Sequence, residues 1–184
     1  MLQDPGGRAP APGALREVQL FVNSVDTENG IEELGSAEAL RDRLAARGLL
    51  DPDADVGQPE LARAIEVREA FRALLLGNNG EPMPDDALRT LERASERACL
   101  AVRLAGAEAE LVPTVGGVDG ALGRLVAIAF TSMADGSWRR LKACRREICK
   151  WAFYDRSRNG SSTWCSMSVC GNRTKTKAYR RRHA

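Results

Sequence analysis

The sequence predicts a mainly α-helical chain with a small β-hairpin, an α+β arrangement in two parts. Residues 14–137 form a helical domain, residues 138–184 form a small module built on four cysteines, and residues 1–13 form a flexible leader. Three observations predict this. Apolar residues recur at helical spacing between Gly and Pro punctuation through most of the chain. Four of the five cysteines fall in two close pairs, Cys144/Cys149 and Cys165/Cys170. The charge divides sharply before Trp138: residues 1–137 hold 13 Arg against 23 Asp and Glu, net −10, whereas residues 138–184 hold 14 Lys and Arg against Glu147 and Asp155, net +12. All four lysines lie in the second part, so a basic module that meets a polyanion is joined to an acidic body that does not.

Residues 1–13 combine Pro5, Gly6, Gly7, Pro10 and Pro12 without an apolar pattern, hence the leader. The run Leu15, Val18, Leu20, Phe21, Val22, Val25 is dense enough for a buried helix or a strand, and the helix is preferred. Asn23-Ser24 reads as a capping pair at its end, with a place in the lining of a pocket as the alternative. Ser36 caps a helix carrying Leu40 and Leu44, which Gly48 ends. Pro59 opens a longer helix through Leu61, Ala64, Ile65, Phe71, Leu74 and Leu75, stopped at Gly77-Asn-Asn-Gly80. Its charges, Glu60, Arg63, Glu66, Arg68, Glu69 and Arg72, alternate in sign at helical spacing and read as a solvated face.

A helix from Pro84-Asp85-Asp86 runs through Leu88 and Leu91 to Ala98. Cys99, a buried small hydrophobe on this reading, begins a hairpin around Ala105-Gly106-Ala107, with Val102, Leu104, Leu111 and Val115 available for burial. Gly116-Gly117 is a turn, because no lysine follows as a phosphate loop requires. Asp119 caps a last helix with Leu122, Leu125, Val126, Ala129 and Phe130 on its apolar face. It leads into the cysteine module without a linker. No apolar run approaches the length of a membrane span.

Two short cysteine pairs about fifteen residues apart match a structural zinc site, since tetrahedral Zn²⁺ closes with four thiolates. The expected ligands are Cys144, Cys149, Cys165 and Cys170. A disulfide framework would need an oxidising compartment, and Met1-Leu-Gln-Asp-Pro-Gly-Gly-Arg8 has no apolar export segment, so the chain reads as cytoplasmic. A thiol redox switch is the competing use of such cysteines. Between the pairs, Trp151, Phe153 and Asp155 alternate with Ala152 and Tyr154, and residues 161–164 return antiparallel across the Asn159-Gly160 turn. Trp151, Phe153 and Trp164 form a miniature core that the metal completes, with stacking on bases as the alternative use.

Ser166 caps a terminal helix in which Met167, Cys170, Thr174 and Ala178 face the metal. Arg173, Lys175, Lys177, Tyr179, Arg180, Arg181 and Arg182 are left outward. With Arg156 and Arg158 in the hairpin turn they suit phosphate contacts, while Asn172, Arg173 and Tyr179 suit base edges. Nucleic acid is therefore the expected partner, double-stranded DNA ahead of RNA, with an acidic protein partner as a third reading. The sole histidine, His183, anchors no nucleophile–base set, so catalysis is not expected.

These residues resemble the CGNR zinc-finger family, whose name spells Cys170-Gly171-Asn172-Arg173. The match extends over Cys144-x4-Cys149-Lys-Trp-Ala-Phe-Tyr-Asp155, Ser157-Arg158-Asn159 and Trp164-Cys165-Ser166-Met167. Phe21-Val22-Asn23-Ser24, the Arg68-Glu69-Ala70-Phe71-Arg72 helix and the later hairpin are similar to the ABATE-type domain found with that finger in bacteria and described as a stress-induced transcription regulator. The resemblance implies a treble-clef-like finger with those four zinc ligands and a DNA-binding role in transcription. The acidic domain then senses an effector or forms a homodimer. Many relatives carry arginines where this chain has Ser162 and Thr163, which removes two phosphate contacts.

Overall fold

The computed structural model describes residues 7–106, 108–174 and 176. Among these residues the chain is mainly helical, with three two-stranded antiparallel sheets. Helix α1 (Leu15–Val22) settles the first ambiguity in favour of a helix, with Leu15, Val18, Phe21 and Val22 buried. A small hairpin that the apolar pattern does not announce follows, β1 (Val25–Asp26) against β2 (Ile31–Glu32). Ser36 caps α2 (Ala37–Ala45) by accepting the Ala39 N–H at 3.2 Å. Gly48 then takes the left-handed conformation, φ +65°, that ends the segment.

Helix α3 (Gln58–Gly77) is the central element, packing against α1, α2, α4 (Asp85–Arg97) and α5 (Gly117–Ala134). Phe71, Leu75 and Ala64 are fully enclosed along it. Its charged stripe is only partly solvated, which corrects the sequence reading: Arg68 and Arg72 are each 3% exposed. Arg68 donates to both carboxylate oxygens of Glu32 (2.6 and 2.8 Å), to Glu69 (2.9 Å) and to Ser24 Oγ (3.1 Å). Arg72 donates to Glu69 (2.9 Å), the Val22 carbonyl (2.7 Å) and the Lys150 carbonyl (2.9 Å). A planar guanidinium with five donors can be buried when each finds an acceptor, and here the acceptors come from three separate segments.

Strands β3 (Leu100–Ala105) and β4 (Glu108–Pro113) form the expected hairpin, but not its expected burial. Val102 and Leu104 are 68% and 77% exposed, because only the base of the hairpin reaches the helices. Cys99 is exposed at φ +47° in the turn into β3, and is not a core residue. Gly123 allows that close approach: a Cβ there would stand 2.2 Å from the Ala98 Cβ. Asp119 does not cap α5. Gly116 holds the cap position, and Asp119 pairs with Arg63 at 3.2 Å. Phe130 lies on the outer face, 59% exposed. By length and composition α5 is apolar enough to cross a membrane, contrary to the sequence reading, yet half of it is buried, with Val118, Ala121, Leu122, Leu125 and Ala129 in the core.

The core does not stop at the end of α5. A 3₁₀ turn (Ser137–Arg140) inserts Trp138 beside Phe71, ring centroids 6.3 Å apart, and β5 (Leu141–Ala143) pairs with β6 (Ala152–Tyr154). Trp138, Leu141, Ala143, Ala152 and Tyr154 belong to the same buried cluster as the helices. The partner of β6 is thus the strand before the first cysteine pair. Residues 161–164, expected as that partner, form no strand.

Candidate metal centre and basic surface

Alternation along β6 divides two cores. Ala152 and Tyr154 face the helices, whereas Trp151 and Phe153 face the four cysteines, with Trp164 and Val169 packed at the edge. Trp151 and Phe153 are therefore buried in the small core, whereas Trp164 at its edge is only partly buried. Cys144 follows β5 and its N–H donates to the Trp151 carbonyl at 2.9 Å. The next turn closes through Cys149 N–H to the Arg146 carbonyl at 2.9 Å, and Lys150 takes φ +48° where the chain enters β6. The second pair is set by Ser166, whose Oγ accepts the Val169 N–H (3.3 Å) and whose carbonyl accepts the Cys170 N–H (3.0 Å). These bonds wind a wide π-helical turn over Met167–Gly171 that continues as helix through 172–174. Met167 is half exposed and covers Gly171 instead of facing the cysteines as expected.

Between the pairs, a buried ion pair organises the loop. Lys142 Nζ donates to Asp155 Oδ2 at 3.0 Å and to the carbonyls of Gly160 and Ser162. Asp155 also accepts the N–H groups of Ser157 and Ser162, each at 2.9 Å. Burial alone would raise the Asp155 pKa, but the bonds from Ser157, Lys142 and Ser162 outweigh it and hold the carboxyl well below the usual carboxylate range.

Cys144, Cys149, Cys165 and Cys170 are all buried, with their sulfur atoms within 4.8 Å of one another. Cys165 Sγ lies 3.6 Å from both Cys149 Sγ and Cys170 Sγ. A tetrahedral ion with sulfur at about 2.3 Å needs sulfur–sulfur edges of about 3.8 Å, so the donor set fits Zn²⁺. Contacts with Cys149 and Cys165 hold the Cys144 thiol far below its ordinary value, while the same contacts push Cys149 and Cys165 up. Thiolates this close repel one another, so four of them share the space only around a cation.

The body grips this centre through polar side chains that sequence reasoning missed. Asn23 pairs with Ala152 as a further strand would, Oδ1 accepting its N–H and Nδ2 donating to its carbonyl, both at 2.8 Å. Asn23 is also the C-cap residue of α1, as the sequence reading expected, its backbone N–H donating to the Gln19 carbonyl at 3.0 Å. Asn78 Nδ2 donates to the carbonyls of Trp138 (2.9 Å) and Leu141 (2.8 Å), and Asn79 Nδ2 to those of Ala143 (2.8 Å) and Thr163 (2.9 Å). The expected leader docks as well. Arg8 donates to the Cys165 (2.7 Å) and Trp164 (2.9 Å) carbonyls with its guanidinium 4.8 Å from the centroid of the Phe153 ring, and Ala11 N–H donates to Gln19 (2.7 Å). The available signal was an Asn23-Ser24 or Asn78-Asn79 pair at a helix end, which served equally well as a stop.

Among the basic residues, Arg156 is exposed, lies 5.7 Å from the Tyr154 ring centroid and donates to the Pro10 carbonyl at 3.0 Å. Arg158 and Asn172 are exposed. Arg173, also exposed, donates to Glu28 at 2.8 Å. Lys175, Lys177, Tyr179, Arg180, Arg181 and Arg182 lie outside the residues whose side chains are described.

Two cysteine pairs converging on one metal-sized cluster, between a short hairpin and a helical turn, define a zinc-finger protein, here fused to a helical body. Residues 140–183 match the CGNR zinc finger, and residues 6–136 match the ABATE family, described as a putative stress-induced transcription regulator. The second match spans most of the chain, which belongs to that family and carries a CGNR zinc finger at its carboxyl side. No curated protein matches the chain at a significant level.

Proposed function

We propose that the chain is a bacterial, cytoplasmic transcriptional regulator in which residues 138–184 bind double-stranded DNA and residues 14–137 carry regulation, through an effector or a homodimer. Cys144, Cys149, Cys165 and Cys170 hold one Zn²⁺. Four thiolates leave no coordination position for water, so the ion's contribution is structural. It fixes the turn from which Asn172 and Arg173 emerge. The observation that carries the reading is this placement: the buried sulfur cluster ends at Cys170, and the very next turn presents exposed polar and cationic side chains in a segment of net charge +12. Arg156, Arg158, Arg173, Lys175, Lys177, Arg180, Arg181 and Arg182 supply phosphate contacts, and Asn172, Arg173 and Tyr179 reach base edges.

The test is a salt-series titration of zinc-loaded protein against random duplex DNA, single-stranded RNA and fragmented genomic DNA. The expected result is salt-steep duplex binding with enrichment of particular genomic sites. Preference for RNA would replace DNA by RNA in this reading, and no binding to either at low salt would refute it.

A further inference from the structure

The loop joining β1 and β2 reaches across to the cysteine centre. Asp26 Oδ1 accepts the N–H groups of Glu28 and Asn29, each at 3.0 Å, and so shapes the tip. Thr27 Oγ1 donates to the Cys149 carbonyl at 2.8 Å and anchors it on the first cysteine turn. Between these fixed points, the Glu28 carboxylate spans two arginines of the finger. Its Oε2 accepts from Arg146 Nη1 at 2.7 Å and its Oε1 from Arg173 Nη1 at 2.8 Å. Arg146 is itself steered, its Nη1 lying 3.8 Å from Cys170 Sγ, and its side chain is only 15% exposed.

One anion with two oxygens bridging two guanidinium groups is the geometry in which arginines grip a phosphodiester through its two free oxygens. We propose that Arg146 and Arg173 form a phosphate-binding site that Glu28 occupies in the free protein, so the acidic body competes with nucleic acid for the finger. The ligand class is a phosphodiester of the nucleic-acid backbone, and to that extent the inference rests on the function proposed above. Arg146 becomes a phosphate contact that the family motif does not name, and the β1–β2 loop becomes the element whose displacement accompanies binding. The contact also explains how a body of net charge −10 acts on the finger at a defined place rather than by general repulsion.

The test compares full-length, zinc-loaded wild type with Glu28→Gln, which keeps the shape of the side chain and removes its charge. Glu110→Gln, in the distant β3–β4 hairpin, makes the same change in net charge. Duplex affinity is read as a function of salt. Glu28→Gln should bind roughly three- to tenfold more tightly at low salt, the scale of one or two partly exposed ion pairs. Its plot of log affinity against log salt should steepen by about one to two, as two arginines become free to exchange counterions for phosphate. Glu110→Gln should match wild type, and Glu28→Gln combined with Arg146→Gln and Arg173→Gln should lose the gain. Unchanged affinity and slope in Glu28→Gln, or an equal gain in Glu110→Gln, would overturn the proposal while leaving DNA binding intact.

A second measurement does not depend on nucleic acid. Titration with tripolyphosphate, followed by the arginine Nε–H resonances, should shift Arg146 and Arg173 at lower concentration in Glu28→Gln than in wild type. If neither resonance responds in Glu28→Gln, the phosphate site is refuted whatever the DNA assay shows. If both respond and no nucleic acid binds, the site stands and the nucleic-acid reading fails.

Discussion

Replacing Asn23 by alanine removes the side chain that closes the edge of β6 onto the helical body. Asn23 is 6% exposed and Ala152 is fully buried, so water cannot substitute for the lost partner. The Ala152 N–H loses the Asn23 Oδ1 acceptor at 2.8 Å. Its carbonyl keeps Gln19 Nε2 at 3.2 Å after losing the shorter bond to Asn23 Nδ2. An orphaned buried amide costs about 1–3 kcal/mol and a lost second bond about 0.5–1.5 kcal/mol, for a combined penalty of about 2–4 kcal/mol. In a chain of 184 residues this corresponds to a fall in Tm of about 4–16 °C. Thermal unfolding followed by far-ultraviolet circular dichroism reads the helices, and zinc release to a chelating dye reads the finger. Because Asn23 caps the end of α1 and Ala152 borders the metal core, both signals should move together. A loss below about 0.5 kcal/mol, or earlier zinc release with an unchanged helical transition, would refute the view that one core spans both parts.

Further expectations follow from the same contacts. Cys170→Ser should abolish stoichiometric zinc and lower the helical melting temperature, whereas Cys99→Ser, exposed in a turn, should keep one zinc per chain and shift stability by under about 0.5 kcal/mol. Asp155→Asn should destabilise at neutral pH. Since the folded carboxyl is held below its unfolded value, its contribution is complete above about pH 4 and is lost as pH falls through the folded pKa, so the gap in urea midpoint between wild type and variant should narrow in acid. A gap that widens in acid would contradict the assignment. Gly123→Ala should cost about 1–3 kcal/mol or more in urea unfolding, because its Cβ would meet the Ala98 Cβ at 2.2 Å, while Leu104→Lys at the exposed hairpin should stay within about 0.5 kcal/mol.

Much of the framework was legible from local pattern. Apolar spacing located α1 to α5, Ser36 and Gly48 marked the bounds of α2, and two cysteine pairs at metal spacing located the centre. The same local reasoning misplaced residues whose fate depends on a distant partner. Arg68 and Arg72 sit in a charge pattern that suits a solvated helix face, and are buried because Glu32, Ser24, Val22 and Lys150 come to them from elsewhere. Val102, Leu104 and Phe130 look like core residues by hydrophobicity, and are exposed because no element covers them within the described chain. Residues 161–164 read locally as a return strand across Asn159-Gly160, yet β5, on the far side of the first cysteine pair, holds that edge of β6.

The sequence by itself determined the helical body, the four-sulfur centre and the opposite charges of the two parts. Each depends on neighbours within a few turns or on composition, and survives any arrangement of the rest. Only the tertiary structure decided that Asn23 reaches a strand 129 residues away, that Arg8 docks on the second cysteine turn, and that Glu28 holds Arg146 and Arg173. Polar side chains and charges carry no periodic mark of their partner. Their roles are set by which backbone groups the folded core leaves unpaired, and that is known only once the core has formed.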